Sequence, residues 1–293
     1  MKKKTEKFAR IGLVANTGKP ACRAIVRKAA QLIKRSGRVV AADRATADFA
    51  NLNVVVHNDS VALSRKTDLL LVVGGDGTIL STARNSAGSP CMIGVNAGRL
   101  GFLTTVPDDK LSQALRHIWA GNYALEPRSL IQCSGVIDGR KVSSVAMNDF
   151  VVARGEQSRL IELEVRVNGE ELTRYRCDGL IVSSPTGSTA YSLAAGGALV
   201  SPQSKVFMLT PICPHTLSNR SVILSLDSQI EIRGLSEKPE ANLSADGIMV
   251  GPMRPTEPVT IRKSRRTIKL LQIDGDSFFR TLRNKLNWSG ASG

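Results

Sequence analysis

The sequence predicts two domains: an α/β N-terminal domain built on a Rossmann-like parallel sheet, and an all-β, sandwich-like C-terminal domain, with a last helix docking back. Three observations predict this. Strand-like and helix-like segments alternate through residues 1–126; short β-rich segments divided by turn residues occupy 127–272; and an amphipathic stretch fills 273–293.

Taken in order, "RIGLVAN" (10–16) reads as a strand, and "GKPACRAIVRKAAQLIKRSG" sets Ile25, Val26, Ala29, Ala30, Leu32 and Ile33 at helical spacing. "RVVAA" is a second strand. "DLLLVVGG" is fully apolar, as a strand buried on both faces would be, and "TILSTARNSA" follows as a helix. "CMIGVNAG" is another strand, and "DDKLSQALRHIWAGNY" is a helix opened by acids and ended near Gly121. Strand–helix alternation of this kind implies parallel βαβ units. Among the histidines, His57 reads as loop, His117 as a surface or boundary residue of a helix, and His215 has no defining context.

Past Pro127 come "LIQCSGVIDGRKV", with a hairpin marked at Asp138-Gly139, then "MNDFVVAR", "IELEVRVNGEEL" and "YRCDGLIVSS". "SVILS", "QIEIRG", "ANLSADGIMV", "PVTIRKS" and "TIKLLQI" continue the β pattern. One helical piece, "GSTAYSLAAGGALV", interrupts it, with Ser and Thr residues placed to cap its start. In "DSFFRTLRNKLNW", Phe279, Leu282 and Leu286 share one helix face.

Composition narrows the function. At 293 residues the chain has room for two cores without covalent staples. Its five cysteines are odd in number, scattered and never C-x-x-C, so neither a disulfide framework nor a zinc knuckle is expected, and a cytoplasmic setting is. The basic start lacks a signal peptide's apolar core, and no stretch approaches the ~20 apolar residues of a membrane span. Net charge is +15, from 40 Lys and Arg against 25 Asp and Glu. With seven Phe and three Tyr there are no stacking platforms interleaved with basic residues, so a basic surface drawing phosphorylated ligands is expected rather than a nucleic-acid or membrane partner. The cluster "TIRKSRR" reads as a solvated strand edge.

The chemistry concentrates in "VVGGDGT". Gly74, Gly75 and Gly77 allow backbone N–H groups to approach phosphates where a strand meets a helix N-terminus, and Thr78 adds a hydroxyl. Neither the dinucleotide fingerprint nor a P-loop is present. A carboxylate is electrostatically unfavourable in a bare anion cradle, so Asp76 invites a role holding a divalent cation or accepting a proton from an attacking hydroxyl; a helix cap is the plain alternative. The second signal, "RCDGLIVSSPTGSTAYSLAAGG" (176–197), again runs a strand into a Ser/Thr/Gly turn, suiting ribose hydroxyls and phosphates. Ser188 lacks a G-x-S-x-G context and does not read as a nucleophile.

Together, "GGDGT", "AGRLGFLT" (97–104), "MNDFVV" (147–152), the 176–197 segment, "PHTLSNR" and "FFRTLRNKLNW" resemble, in order, the NAD kinase family, which phosphorylates the 2′-hydroxyl of the adenosine ribose of NAD to give NADP. "GGDGT" alone is shared with diacylglycerol and sphingoid kinases; the 176–197 segment discriminates. A lipid kinase or a non-catalytic nucleotide-binding protein is the alternative.

The resemblance implies that Asp76 is the general base and that Gly77 lies against the nucleotide. It implies that Asn148 and Asp149 contact the NAD ribose and nicotinamide region, with Asp149 in place of the usual Glu, one methylene shorter and keeping the charge. Arg176 and Asp178 match residues at the nicotinamide half; Thr186, Thr189, Ala190, Tyr191, Ser192, Leu193 and Ala194 fall in the stretch around adenine and ribose. Asp246 matches a further ligand-facing acid, and Arg159 a position that approaches NAD. Ile248 stands where many relatives carry a polar residue such as Gln. The resemblance also implies ATP or inorganic polyphosphate as donor, Mg²⁺ or Mn²⁺ as cofactor with no certain metal ligand, and a homodimer or homotetramer.

Overall fold

The computed structural model describes residues 8–86, 90–98, 101–155, 159–215, 220–235, 241–255, 257–273 and 277–288. The chain divides into two compact units, Met1–Pro127 with Ile268–Gly293, and Arg128–Thr267.

The first unit runs β1 (Arg10–Ala15), α1 (Ala21–Arg35), β2 (Val39–Asp43), α2 (Arg44–Ala50), β3 (Val55–His57), α3 (Ser60–Ser64), β4 (Leu69–Gly74), α4 (Asp76–Asn85), β5 (Cys91–Asn96), β6 (Val106–Pro107) and α5 (Leu111–Trp119). Its strands lie in the order β3-β2-β1-β4-β5 and all pair in parallel. Every residue of β4 and β5 is buried, as the unbroken apolar runs require of strands covered on both faces. On α1, Cys22, Ile25, Val26, Ala29, Ala30 and Ile33 form the buried stripe, and Lys34 and Arg35 end the helix where cations suit the macrodipole. Asp43 caps α2 by accepting from Thr46 N at 2.9 Å.

This strand order has one functional consequence. After β1 the chain turns to β2 on one side, and β4 then pairs on the other, which makes the carboxyl ends of β1 and β4 a topological switch point, where open α/β sheets bind ligands. The chain there passes through the Asn16–Pro20 turn after β1, and through Gly75 into the first turn of α4 after β4.

The second unit contains β8 (Arg140–Ala146), β9 (Asp149–Arg154), β10 (Ile161–Val167), β11 (Glu170–Cys177), β12 (Gly179–Ser183), α6 (Tyr191–Ala194), β13 (Val206–Ile212), β14 (Val222–Ser225), β15 (Ile230–Gly234), β16 (Ala241–Ala245) and β17 (Ile248–Met253), with most of β7 (Tyr123–Ile137) and of β18 (Val259–Ile273), which begin and end in the first unit. The chain enters it along β7 and leaves along β18, whose end pairs Leu270 with Met92 inside the first unit. One set of strands follows β11-β10-β15-β18, with β7 on β18 and β8 on β7. The other follows β14-β13-β12-β9-β16-β17. The pairs β10–β11, β10–β15, β15–β18 and β7–β8 of the first set and all pairs of the second are antiparallel, and Ile131, Leu163, Ile232 and Ile261 of the first set share a core with Phe150, Val152, Leu180 and Phe207 of the second. Three hairpins turn on pairs with both φ positive, Asp138-Gly139, Asn168-Gly169 and Asp246-Gly247, the conformation that favours Asn or Asp followed by Gly.

The tail helix α7 (Phe278–Leu286) belongs to the first unit, where Lys285 Nζ lies 5.5 Å from the Phe102 ring centroid. The docking back of the tail is therefore observed. Its inward face differs from the expected one: Leu282 is buried, Phe278 and Leu286 are half-buried at the same i, i+4 spacing, and Phe279 is exposed, edge-on to Phe278. Three other expectations change. His57 ends β3 rather than lying in a loop. The helix expected over 187–200 shrinks to a 3₁₀ turn at Thr186–Thr189 and the four residues of α6, because Gly196 takes φ +83° and Gly197 packs on Ser192 too closely for a Cβ. No side chain caps α6 or the 3₁₀ turn; Ser188 Oγ donates to Pro185 O at 2.8 Å and accepts from Val200 N at 3.1 Å. "TIRKSRR" lies on β18, where Thr260 and Ile261 pair with β15 and Arg262, Lys263, Arg265 and Arg266 are exposed, as a solvated basic surface requires.

Among the described residues no helix is long and apolar enough to cross a membrane.

Candidate active site

The glycines of the β4–α4 turn differ in what they do. A Cβ on Gly74 would collide with the Thr78 side chain and approach Asn16 Cβ to 3.2 Å, so Gly74 is there for close packing. Gly75 is the N-cap of α4, and Asp76 is its first helical residue. A Cβ on Gly77 would meet nothing within 4 Å, and Gly77 is exposed. The chain itself has no steric need for glycine at 77, which makes the bare backbone there available to a ligand.

Asp76 does not cap its own helix. Its carboxylate reaches across to residues 101–104: Oδ2 accepts from Phe102 N at 2.8 Å, and Oδ1 accepts from Leu103 N and Thr104 N at 3.1 Å each and from Thr104 Oγ1 at 3.3 Å. Gly101 packs so tightly on this carboxylate that a Cβ would land on it, and Gly101 N donates to Thr104 Oγ1 at 3.1 Å. A carboxylate offers about four lone-pair sites. Three donors crowd Oδ1 while Oδ2 carries one, so Oδ2 retains capacity for a further proton or donor among the described residues. The side chain is thus held at one oxygen and available at the other, an arrangement that sequence reading missed because its donors are backbone amides 26 to 28 positions away. Arg99 and Leu100 of the same motif lie outside the described residues.

Beside this turn is an open pocket of about 480 Å³, lined by Ala15, Asn16, Thr17, Lys19, Gly75, Gly77, Thr78 and Ser81. No acid lines it. The electrostatic objection to an acid in an anion cradle is met by direction: the Asp76 carboxylate turns to the 101–104 backbone, leaving Lys19 as the charged side chain of the pocket. Asn16, Thr17, Lys19 and Ser81 escaped the sequence reading; the signal available was that "NTGK" follows a strand and precedes a helix, as "GGDGT" does.

In the second unit the candidate residues gather at the two ends of β12. At its carboxyl end Ser183 pairs with Asp149, and Asp246 accepts from Met147 N at 3.0 Å, from Asn148 N at 2.8 Å and from Asp149 N at 3.3 Å. Asn148 O in turn accepts from Ser184 N at 2.8 Å. Asp246 is therefore both the first residue of a hairpin turn and the anchor of the 147–149 backbone. Asp149 is 4% exposed, and its carboxyl pKa is pushed up to about 7, first by burial and then by the charge of Asp246. The expectation that Asp149 simply keeps the charge of a glutamate is corrected: at neutral pH it is poised between its neutral and ionised forms.

Continuing from β12, Ser183, Ser184, Thr186, Ser188 and Ser192 are buried, and Thr186 Oγ1 has no hydrogen-bond partner. Thr189 and Ala190 are half-buried, Tyr191 and Ala194 are exposed, and Leu193 is half-buried. Tyr191, 47% exposed, is not core. At the opposite end of β12, five residues or roughly 16 Å away, Asp178 pairs with Arg154 at 3.0 Å and Arg176 approaches Glu162 at 3.8 Å. Arg154 was not foreseen. Arg159 is exposed, and Ile248 is 54% exposed with an apolar side chain that can form no hydrogen bond. Thr216 to Asn219 of "PHTLSNR" lie outside the described residues. No group of three or more His, Cys, Asp or Glu placed to hold a metal occurs among the described residues.

Residues 11–123 match the ATP-NAD kinase N-terminal domain and residues 147–273 the ATP-NAD kinase C-terminal domain. The chain belongs to the NAD kinase family. It is 40% identical over 282 residues to an NAD kinase of Heliobacterium modesticaldum, covering 94% of this chain and 98% of that one. An NAD kinase of Thiobacillus denitrificans is 38% identical over 283 residues, covering 96% and 97%. Among solved structures, yeast NADH kinase complexed with NADH superposes with a TM-score of 0.89 at 25% identity, covering 98% of this chain and 89% of that chain. The Archaeoglobus fulgidus NAD kinase in complex with ATP gives 0.73 at 27%, covering 95% and 98%. As an NAD kinase the chain is a phosphotransferase acting on a hydroxyl, and the α/β and β-rich units are those of the family.

Proposed function

We propose that the chain transfers the terminal phosphoryl group of ATP, taken as its complex with Mg²⁺ or Mn²⁺, to the 2′-hydroxyl of the adenosine ribose of NAD. The O–P bond to the ribose forms, the bond between the β,γ-bridging oxygen and the terminal phosphorus breaks, and NADP and ADP leave. Asp76 takes the hydroxyl's proton. The observation that carries this role is the asymmetry of its hydrogen bonds among the described residues: three donors on Oδ1 fix the side chain, and Oδ2, with one donor, has a lone pair for the proton. Gly77 and the second-unit residues Asn148, Asp149, Arg159, Arg176, Asp178, Thr186, Thr189, Ala190, Tyr191, Ser192, Leu193, Ala194 and Asp246 are assigned to NAD. Gly74, Gly75 and Thr78 shape the phosphate turn. Buried hydroxyls such as Thr186 Oγ1, lacking a partner among the described residues, suit a ligand with several hydrogen-bonding edges.

The metal ion arrives as substrate. Without a dedicated acidic cluster among the described residues, the donor phosphates supply most of its ligands, as is usual for Mg²⁺, and the ion neutralises charge developing on the transferring group. Catalysis then rests on positioning. We place the enzyme in the cytoplasm, as a homodimer or homotetramer; its cysteines are all free thiols, which suits a reducing compartment.

The test is direct. Purified protein with ATP and Mg²⁺ should convert NAD to a product that an NADP-specific dehydrogenase reduces, with diacylglycerol giving no phosphorylated lipid. Lipid phosphorylation without NADP formation would replace this reading by the lipid-kinase one.

A further inference from the structure

The pocket at the switch point lies outside the residues assigned to NAD except at Gly77, and its one charged side chain is Lys19. Lys19 stands in the turn between β1 and α1. Its Nζ sits 4.0 Å from where a Cβ of Gly75 would be, directly over the start of the GGDGT turn. Among the described residues Lys19 Nζ has no hydrogen bond or ion pair, and the carboxylate of the nearby acid, Asp76, is turned to the 101–104 backbone. An ammonium left unpaired over a glycine turn is a cation prepared for an anion that the chain does not supply.

The surrounding groups are donors too. Asn16 Oδ1 accepts from Gly18 N at 3.0 Å, which fixes the orientation of the amide and leaves Nδ2 to donate elsewhere. The Asn16 backbone is itself pinned, its N–H donating to Val73 O at 2.9 Å and its carbonyl accepting from Lys19 N at 3.2 Å. The turn carrying Lys19 is thereby tied to the strand carrying GGDGT. Thr17 is an exposed hydroxyl on the same rim. A volume of about 480 Å³, lined by one ammonium, an amide, hydroxyls and bare glycine backbone with no carboxylate, fits a chain of phosphates rather than an aromatic base.

We propose that Lys19 binds the terminal phosphates of the donor nucleotide and positions them for transfer. This rests on the NAD kinase reading above, since the acceptor's candidate contacts lie mostly in the second unit and leave this pocket to the donor. As an ammonium on a flexible stem, Lys19 can follow the charge as it moves from the γ-phosphoryl group to the departing β-phosphate.

The experiment compares wild type with Lys19→Met and Lys19→Arg, with inorganic tripolyphosphate as a probe carrying phosphates but no base or ribose. Losing one charge-assisted contact should raise the KM for ATP by roughly ten- to a hundred-fold. The tripolyphosphate inhibition constant should rise in parallel, the KM for NAD should stay within about two-fold, and Lys19→Arg should recover part of the loss. Lys19 is exposed, so unfolding temperatures should match. An active wild type whose ATP and tripolyphosphate constants survive Lys19→Met overturns the assignment. So does a Lys19→Met variant whose defect is confined to NAD, because that would give Lys19 to the acceptor. If the wild type forms no NADP, the kinase reading fails instead, and calorimetric titration with tripolyphosphate still judges the pocket: binding that Lys19→Met abolishes supports it, and no binding by wild type overturns it.

Discussion

Replacing Asp76 by Asn puts an amide where the chain needs a carboxylate. One oxygen can still face Leu103 and Thr104, but the NH₂ then points at Phe102 N, donor against donor. Turnover should fall at least ~100-fold, the lower end for loss of a general base, and the lost acceptor should destabilise the fold by about 1–3 kcal/mol, seen as a lower melting temperature with NAD affinity largely retained. Near wild-type turnover would remove Asp76 from the chemistry. Gly77→Ala makes the opposite split. Its methyl meets nothing in the chain, so stability should hold or rise by roughly 0.5–1 kcal/mol as a helical glycine is replaced, while kcat/KM drops if substrate occupies that space. Unchanged kcat/KM would show that no substrate approaches Gly77. Asp149 carries a pH signature. Its folded pKa of about 7 lies above the usual 3.8, so between those values the unfolded chain ionises it while the folded chain holds it neutral. Stability is therefore lost as pH rises from about 4 to 7, by at most on the order of 3–4 kcal/mol. Asp149→Asn should gain on wild type in melting temperature across that window and run parallel above it; a constant difference at all pH values would refute the burial effect.

At the scale of elements, the 101–104 segment acts as a clamp on the first residue of α4. Three consecutive backbone N–H groups converge on one side chain, and Gly101 must lack a Cβ for them to do so. Gly101→Ala should therefore displace the segment, speed amide exchange at 102–104 and reduce kcat with little change in the KM for ATP. Preserved protection at those amides would mean the clamp tolerates the methyl. "AGRLGFLT" was visible as a motif, yet nothing in its letters indicates that its amides, rather than its side chains, meet Asp76. The tail helix teaches a similar lesson: Leu282 and Leu286 were placed by periodicity, but Phe278 rather than Phe279 completes the inward face, because the helix starts at 278 with Ser277 as cap and its approach angle is set by what it packs on.

For the whole molecule, a net charge of +15 should draw anionic nucleotides from solution. Raising salt from about 20 to 300 mM shortens the Debye length several-fold, and kcat/KM for ATP should fall with it more than kcat does; salt-independent kcat/KM would assign no steering to the basic surface. That the chain holds a parallel α/β unit and a β-rich unit was readable from periodicity, since alternating strands and helices leave few other ways to bury their apolar faces. So was the position of the candidate turn, because glycines after an apolar strand mark backbone exposed at the strand's end, and the structure places a pocket beside it. The order β3-β2-β1-β4-β5 was not readable, and it alone brings the Asn16–Lys19 turn beside GGDGT, from nearly sixty residues away in the chain, and makes a pocket of them.

By itself the sequence determined the residue types available for phosphoryl transfer and the two local folds that present them, because periodicity, turn chemistry and composition act over short distances along the chain. Only the tertiary structure decided where the Asp76 carboxylate points, that Lys19 faces the glycine turn, and that Asp149 titrates near neutrality beside Asp246. Those outcomes depend on burial and on partners remote in sequence, and electrostatics and hydrogen bonding respond to distance in space.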